Sequence, residues 1–257
     1  MRKSKTLAKW RANKTARIAV LGHYFPAFVR YAAHHGFDAI WLDLEHRAMD
    51  EREIQALMAF CHLYDIDCLL RAPTLEKSGL ARYLEDGATG LLIPHVSTPE
   101  KAQELVQAAK FPPIGDRGID AAGLDCDFSL PDGPTYADNA NRETFLVVQI
   151  ETPLAVRNVE AIAALDGIDA LFIGPGDLKL RLKKDKNESM TMEDAQQSVA
   201  AAAAKFGKPW GQPVGPIEDL QALYDKGARM LIRGSEFLGM IIAIETAARE
   251  LDTVCGK

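Results

Sequence analysis

The sequence predicts an α/β protein folded as a (β/α)8 TIM barrel with an extra N-terminal helix, and three observations carry the expectation. The chain has 257 residues, close to the roughly 250 that such a barrel needs. Eight short apolar runs alternate with segments of helical period from end to end. No glycine-rich phosphate loop favours the alternative, an open doubly wound sheet. One barrel domain over 1–257 is expected, although a guide of roughly 150 residues per domain would allow two.

The runs are Arg17–Gly22, Ala39–His46, Asp67–Pro73, Gly90–Val96, Thr144–Thr152, Ile168–Asp177, Lys208–Val214 and Ala228–Ser235. Several are nearly continuous in apolar residues, as strands buried on both faces of a parallel sheet are. Between them, Ile54, Leu57, Met58 and Cys61 fall at i, i+3, i+4 and i+7, as do Ala102, Leu105, Val106 and Ala109, which is one face of a helix. Thr98-Pro99 and Thr191 with Asp194 carry helix-start signals. Gly36, Gly87, Gly167, Gly207 and Gly227 mark helix ends. A helix at about 5–11 precedes the first strand and is expected to cap the barrel.

Two segments stand outside the pattern. Phe111–Asn141 holds Pro112-Pro113, Gly115, Gly118, Gly123 and Pro131 with little periodicity, and so long a loop serves function or a subunit contact. The last helix, about 237–255, is apolar almost all round in its first half, which predicts a place at a subunit interface.

Apolar residues make up 47% and charged residues 26% of the chain, ordinary values for a globular protein. A net charge of −6 argues against a nucleic-acid partner, which would want a basic face. The basic runs at Arg2-Lys3-Ser4-Lys5 and at 179–186 read as solvated charge. Four cysteines without Cys-x-x-Cys spacing fit reduced thiols. No stretch approaches the roughly 18 apolar residues of a membrane span, and no signal-like core is present. A soluble cytoplasmic protein is expected.

Barrel enzymes work at the C-terminal ends of their strands. Here strand 2 ends Asp43-Leu44-Glu45-His46, strand 3 ends at Arg71, strand 5 ends Gln149-Ile150-Glu151, and strand 6 ends Gly174-Pro175-Gly176-Asp177. Carboxylates converging on one mouth are costly unless a cation neutralises them. Glu151 and Asp177 come from neighbouring strands, so a divalent Mg²⁺, Mn²⁺ or Co²⁺ with oxygen ligands and water is the expected resolution.

These pieces resemble the HpcH/HpaI aldolase family, the metal-dependent pyruvate aldolases. The resemblance spans nearly the whole chain. It rests on Trp41-Leu-Asp-Leu-Glu-His46, Leu70-Arg71-Ala-Pro73, Leu92-Ile-Pro94, Phe111-Pro-Pro-Ile-Gly-Asp-Arg-Gly118, Val148-Gln-Ile-Glu-Thr152 and Phe172-Ile-Gly-Pro-Gly-Asp-Leu178. It implies an aldolase that joins pyruvate, or a related 2-oxo acid, to an aldehyde. It also implies a homo-hexamer (a dimer of trimers) or a homotrimer, with sites near subunit contacts. Glu151 and Asp177 would hold the metal, and the amides of Gly174 and Gly176 would bind the substrate carboxylate. Arg71 would stabilise the enolate, and Gln149 would hydrogen-bond the substrate. His46 would act as base with Asp43 orienting its ring. Glu85 stands where most relatives have an aspartate, at a position thought to reach a neighbouring subunit's site.

Departures from the family bear on the substrate. Lys179 replaces a common serine, and could pair with Asp177 or bind an anion. Arg47-Ala48 replaces Ala/Gly-Pro, and Gly22-His23 stands where a bulky aromatic is common. His23 and His95, also near strand ends, are assigned to packing or to the substrate pocket. Three other readings compete: a Schiff-base aldolase using Lys179, a CoA-ester lyase of the citrate or malyl type, and a catalytically silent barrel.

Overall fold

The computed structural model describes residues 1–129, 135–185 and 187–256. Eight parallel strands close into a barrel in sequence order. They are β1 (Ala16–Leu21), β2 (Ala39–Asp43), β3 (Asp67–Arg71), β4 (Gly90–Ile93), β5 (Phe145–Ile150), β6 (Ala170–Ile173), β7 (Trp210–Pro213) and β8 (Met230–Ser235). Each lies within or against its expected run. Around them run α1 (Lys5–Arg11), α2 (Pro26–His34), α3 (Glu51–Leu63), α4 (Lys77–Glu85), α5 (Pro99–Ala109) and α6 (Tyr136–Glu143). The rest of the outer layer is α7 (Pro153–Arg157), α8 (Val159–Ala163), α9 (Pro175–Lys184), α10 (Met192–Lys205), α11 (Ile217–Asp225) and α12 (Glu236–Cys255). The capping signals act as expected: Thr98 caps α5, and Thr191 with Asp194 forms a capping box at α10. The five helix-end glycines all have positive φ.

Side chains alternate across a strand, and that alternation sorts the core into two layers. Trp41, Leu69, Leu92, Val147, Ala170 and Phe172 fill the barrel interior. Their neighbours Leu42, Leu70, Ile93, Val148, Leu171 and Ile173 face the helices. Trp41 meets Phe172 edge to face across the interior, with ring centroids 5.2 Å apart. Asp43, Arg71 and Gln149 each lie two residues beyond an interior position on their strand, so the same parity directs them into the mouth.

The opposite end of the barrel is closed by α1, as expected. Leu7 and Trp10 join the interior cluster, and Trp10 packs edge to face on Phe145 at 5.2 Å. Asp67, fully buried at the start of β3, accepts from Ser4 Oγ at 2.7 Å, from the Thr6 amide at 2.8 Å and from Arg2 at 2.5 Å. Phe145 fits because Gly90 beside it has no side chain; a Cβ there would lie 2.2 Å from the ring.

The described part of the segment after α5 holds a buried polar cluster. Arg117 is buried with Asp125 and Tyr136: it donates to Asp125 Oδ2 at 3.3 Å and to the Tyr136 hydroxyl at 3.1 Å. Pro131 lies outside the described residues. The apolar first half of the last helix suggests packing on its own barrel as well as on a second chain, and the first of these is not seen. None of its residues is buried, so α12 does not lay its length on its own barrel. Phe237, Leu238, Met240, Ile242 and Ile244 are all exposed. Among the described residues, no helix is long and apolar enough to cross a membrane.

Candidate active site

The ends of β2 and β3 meet first. Asp43 and Arg71 are register partners, and the guanidinium grips the carboxylate with two bonds, Nε to Oδ1 at 2.8 Å and Nη2 to Oδ2 at 2.6 Å. Arg71 also stacks over Trp41, 4.8 Å from the ring centroid, and its Nη1 lies 3.1 Å from Glu45 Oε2. Burial pushes the Asp43 carboxyl up, but the hydrogen bonds and charge of Arg71 outweigh it and hold the group below its ordinary value. This corrects the expected role of Asp43. Its oxygens face Arg71 and the backbone N–H groups of Glu45 and His46, not the His46 ring. A planar fork matches a carboxylate better than one imidazole nitrogen does. The His46 ring is 55% exposed and lies 3.6 Å from Glu45 Oε2.

The ends of β4 to β6 form the second group. Glu151 is 1% exposed. Its Oε1 accepts from the backbone N–H of His95 at 2.7 Å, and His95 Nδ1 lies at the same distance. The other ring nitrogen of His95 is 3.3 Å from Glu45 Oε1, so the imidazole spans two strand-end carboxylates. Gln149 donates to Glu151 Oε2. Gly174 lies over this pair, and a Cβ on it would fall 2.6 Å from Glu151 Oε2 and 2.8 Å from Gln149 Nε2. Only glycine fits there. Gly176, by contrast, has nothing within 4 Å of where a Cβ would stand.

Asp177 is not a strand end, as its run suggests. Pro175 opens α9 directly after Gly174, which places Asp177 in the first helical turn, where the helix dipole favours a carboxylate. It is 40% exposed, and its Oδ1 accepts from Arg181 at 2.7 Å, one turn along. Lys179 is therefore not the partner of Asp177. It lines a separate groove with Met192, Gln196, Gln212 and Lys226, of about 700 Å³. Helical geometry explains the difference, since residues four apart face each other and residues two apart do not.

Glu85 is the last residue of α4, close to the start of β4 and away from the mouth. It lies 3.9 Å from Arg117, and burial raises its carboxyl above the ordinary range. Within one chain, the structure does not bring Glu85 to the other candidates. Sequence reasoning assigned His95 to packing or the substrate pocket and missed its bond to Glu151. The signal was its place just past β4, which would otherwise be the one strand between β2 and β6 presenting no polar group to the mouth.

The residues present suit a divalent cation. Asp43, Glu45, Glu151 and Asp177 supply four negative charges, and the guanidinium groups of Arg71 and Arg181 pair with three of them. Gln149 Oε1 is a buried acceptor without a hydrogen-bond donor. Among the described residues, no three His, Cys, Asp or Glu side chains form a ready cage. The donor set is thus that of an ion held by one or two carboxylates, with water and substrate completing its shell. Beside the mouth opens a groove of about 550 Å³ lined by Glu45, His46, Arg47, Met49, Pro73 and Tyr83.

A strand-end constellation of this kind on a closed (β/α)8 barrel defines a barrel enzyme. The model of the HpcH/HpaI aldolase/citrate lyase family matches residues 22–243, and the chain belongs to that family. A hydroxypyruvate/pyruvate aldolase of Deinococcus radiodurans is 34% identical over 192 residues, covering 73% of this chain and 69% of that protein. A 4-hydroxy-2-oxovalerate aldolase of Rhodococcus jostii is 33% identical over 228 residues, covering 86% and 83%. The crystal structure of an HpcH/HpaI aldolase from Desulfitobacterium hafniense superposes with a TM-score of 0.88 at 28% identity, covering 95% of each chain. These relatives support a general aldolase activity.

Proposed function

We propose that the protein interconverts a 4-hydroxy-2-oxo acid with pyruvate, or a related 2-oxo acid, and an aldehyde, by way of an enolate. The observation that carries this reading is the Asp43–Arg71 clamp, which faces into the same mouth as Glu151 and Gln149. A divalent cation held by Glu151 and Asp177 would supply Lewis acidity at the keto oxygen. Arg71 contributes a permanent positive charge where the enolate oxygen develops, and Asp43 fixes the direction of that charge. Gln149 offers an amide to the bound oxo acid. His46, exposed at the rim, accepts the methyl proton. The N-terminus of α9, with the amide of Gly176, suits the substrate carboxylate; the Gly174 amide, expected to share that role, instead donates to the Ile150 carbonyl at 3.2 Å.

The exposed apolar side chains of α12 favour assembly with further copies of this chain, as a homo-hexamer or homotrimer, because large contiguous apolar patches are uncommon on a monomer. Glu85 would reach a site only across such a contact. The test of the reaction is exchange of pyruvate methyl protons in D2O, which needs no knowledge of the aldehyde. Exchange that requires added Mg²⁺, Mn²⁺ or Co²⁺ and stops with EDTA is expected. Exchange indifferent to chelation, or a borohydride-trapped adduct with pyruvate, would overturn the reading.

A further inference from the structure

One corner of the mouth holds a cation that the proposed enolate chemistry leaves unused. Gly22 directly follows β1 and continues the alternation that turns Ile18 and Val20 inward. A Cβ on Gly22 would meet Arg47 at Cγ (3.0 Å), Nε (3.3 Å) and Cδ (3.4 Å). The stem of Arg47 thus lies across the notch that the missing side chain leaves, and the two departures from the family at these positions form one feature.

The guanidinium sits on the rim, where Nη1 donates to the His46 carbonyl at 2.8 Å. Arg71 and Arg181 are both neutralised by carboxylates. Arg47 is exposed and donates to a neutral carbonyl, and no carboxylate among the described residues lies within ion-pair distance of it. It borders the groove of about 550 Å³ that opens beside His46. An unspent planar fork at the edge of a groove is a receptor for a carboxylate or a phosphate.

Topology says which reactant carries that anion. In a ring of eight strands, β1 and β2 stand opposite β5 and β6. The 2-oxo acid's own carboxylate belongs with the Gly176 amide at the N-terminus of α9, at the β6 side. An anion at Arg47 therefore belongs to the other reactant. We propose that Arg47 is a specificity-determining residue that binds a carboxylate or phosphate on the aldehyde, at the end remote from its reacting carbonyl. The assignment rests on the aldolase reading above and narrows its substrate class to anionic aldehydes.

Paired acceptors test it: 4-oxobutanoate against butanal, and glyceraldehyde 3-phosphate against glyceraldehyde, each added to pyruvate by the full-length protein. The wild type should prefer the charged member of at least one pair, and the pair that shows the preference identifies carboxylate or phosphate as the group bound. In Arg47→Ala the charged-to-neutral ratio of kcat/KM should fall by roughly ten-fold, through KM for the aldehyde. Arg47→Lys should retain part of the preference. Gly22→Val, which pushes the stem aside, should reproduce Arg47→Ala. Equal rates for both members of both pairs, or a ratio unmoved by Arg47→Ala and by Gly22→Val, would overturn the assignment while pyruvate exchange still held. Loss of exchange in the wild type would overturn the aldolase reading and this assignment with it.

Discussion

His95 binds one oxygen of Glu151 twice, through its backbone N–H and through Nδ1, each 2.7 Å from Oε1. The residue does so from a left-handed backbone conformation, at φ 58°, which a non-glycine residue adopts only when its surroundings fix it there. Partners of this kind set the direction of a metal-binding carboxylate. His95→Ala should weaken Mn²⁺ binding by about ten-fold, measured by titration calorimetry, with the circular dichroism spectrum unchanged. An unaltered affinity would reduce the imidazole to a packing role.

Arg181 competes for Asp177. Their pair is solvent-accessible and formed within one helix turn, so it is weak, worth up to about 1 kcal/mol. Arg181→Ala should therefore tighten Mn²⁺ binding by roughly two- to five-fold. No change would mean that Asp177 does not touch the ion.

Gly174 and Gly176 should separate cleanly. In Gly174→Ala the new methyl collides with Glu151 and Gln149, at a cost of about 1–3 kcal/mol, and both melting temperature and proton exchange should fall. Gly176→Ala meets open space and should leave the melting temperature alone while raising KM for pyruvate. The reverse pattern would place the oxo acid elsewhere.

The Asp43–Arg71 pair carries a pH signature. The Asp43 carboxyl titrates below its ordinary value of 3.8 in the folded protein. Its contribution to stability is therefore complete above that value and is lost as pH falls through the depressed one. Urea unfolding at pH 5 and pH 3 should show a smaller acid loss in Asp43→Asn than in the wild type. Arg71→Lys, which breaks the fork, should lower pyruvate proton exchange by about a hundred-fold.

The outward face of α12 predicts an assembly. Ile244, 67% exposed, should tolerate Ile244→Asp in a monomer but not at a buried contact. Sedimentation should show a smaller particle for the variant than for the wild type. Identical sedimentation would free this face from any role in assembly.

The barrel was legible because its strands are apolar on both faces, a pattern that survives without knowledge of partners. Ala39–Asp43 and Phe145–Ile150 are buried at every position. The site was legible only as a set of residues. Which groups pair depends on register and on where strands stop. Asp43 opposite Arg71 is a fact of register, and no spacing within one strand reveals it. Asp177 extends an apolar run in the sequence, yet Pro175 ends that strand by starting a helix. The reach of His95 comes from a backbone angle that histidine adopts only occasionally.

The floor of the barrel ties its first helix to its last strand. Trp10 donates its indole N–H to the carbonyl of Arg229 at 3.1 Å, just where β8 comes to lie beside β1. During synthesis the first helix emerges long before that carbonyl exists. The helix can complete this bond only once β8 is in place, so the last step in sealing the closed end waits on the joining of the ring.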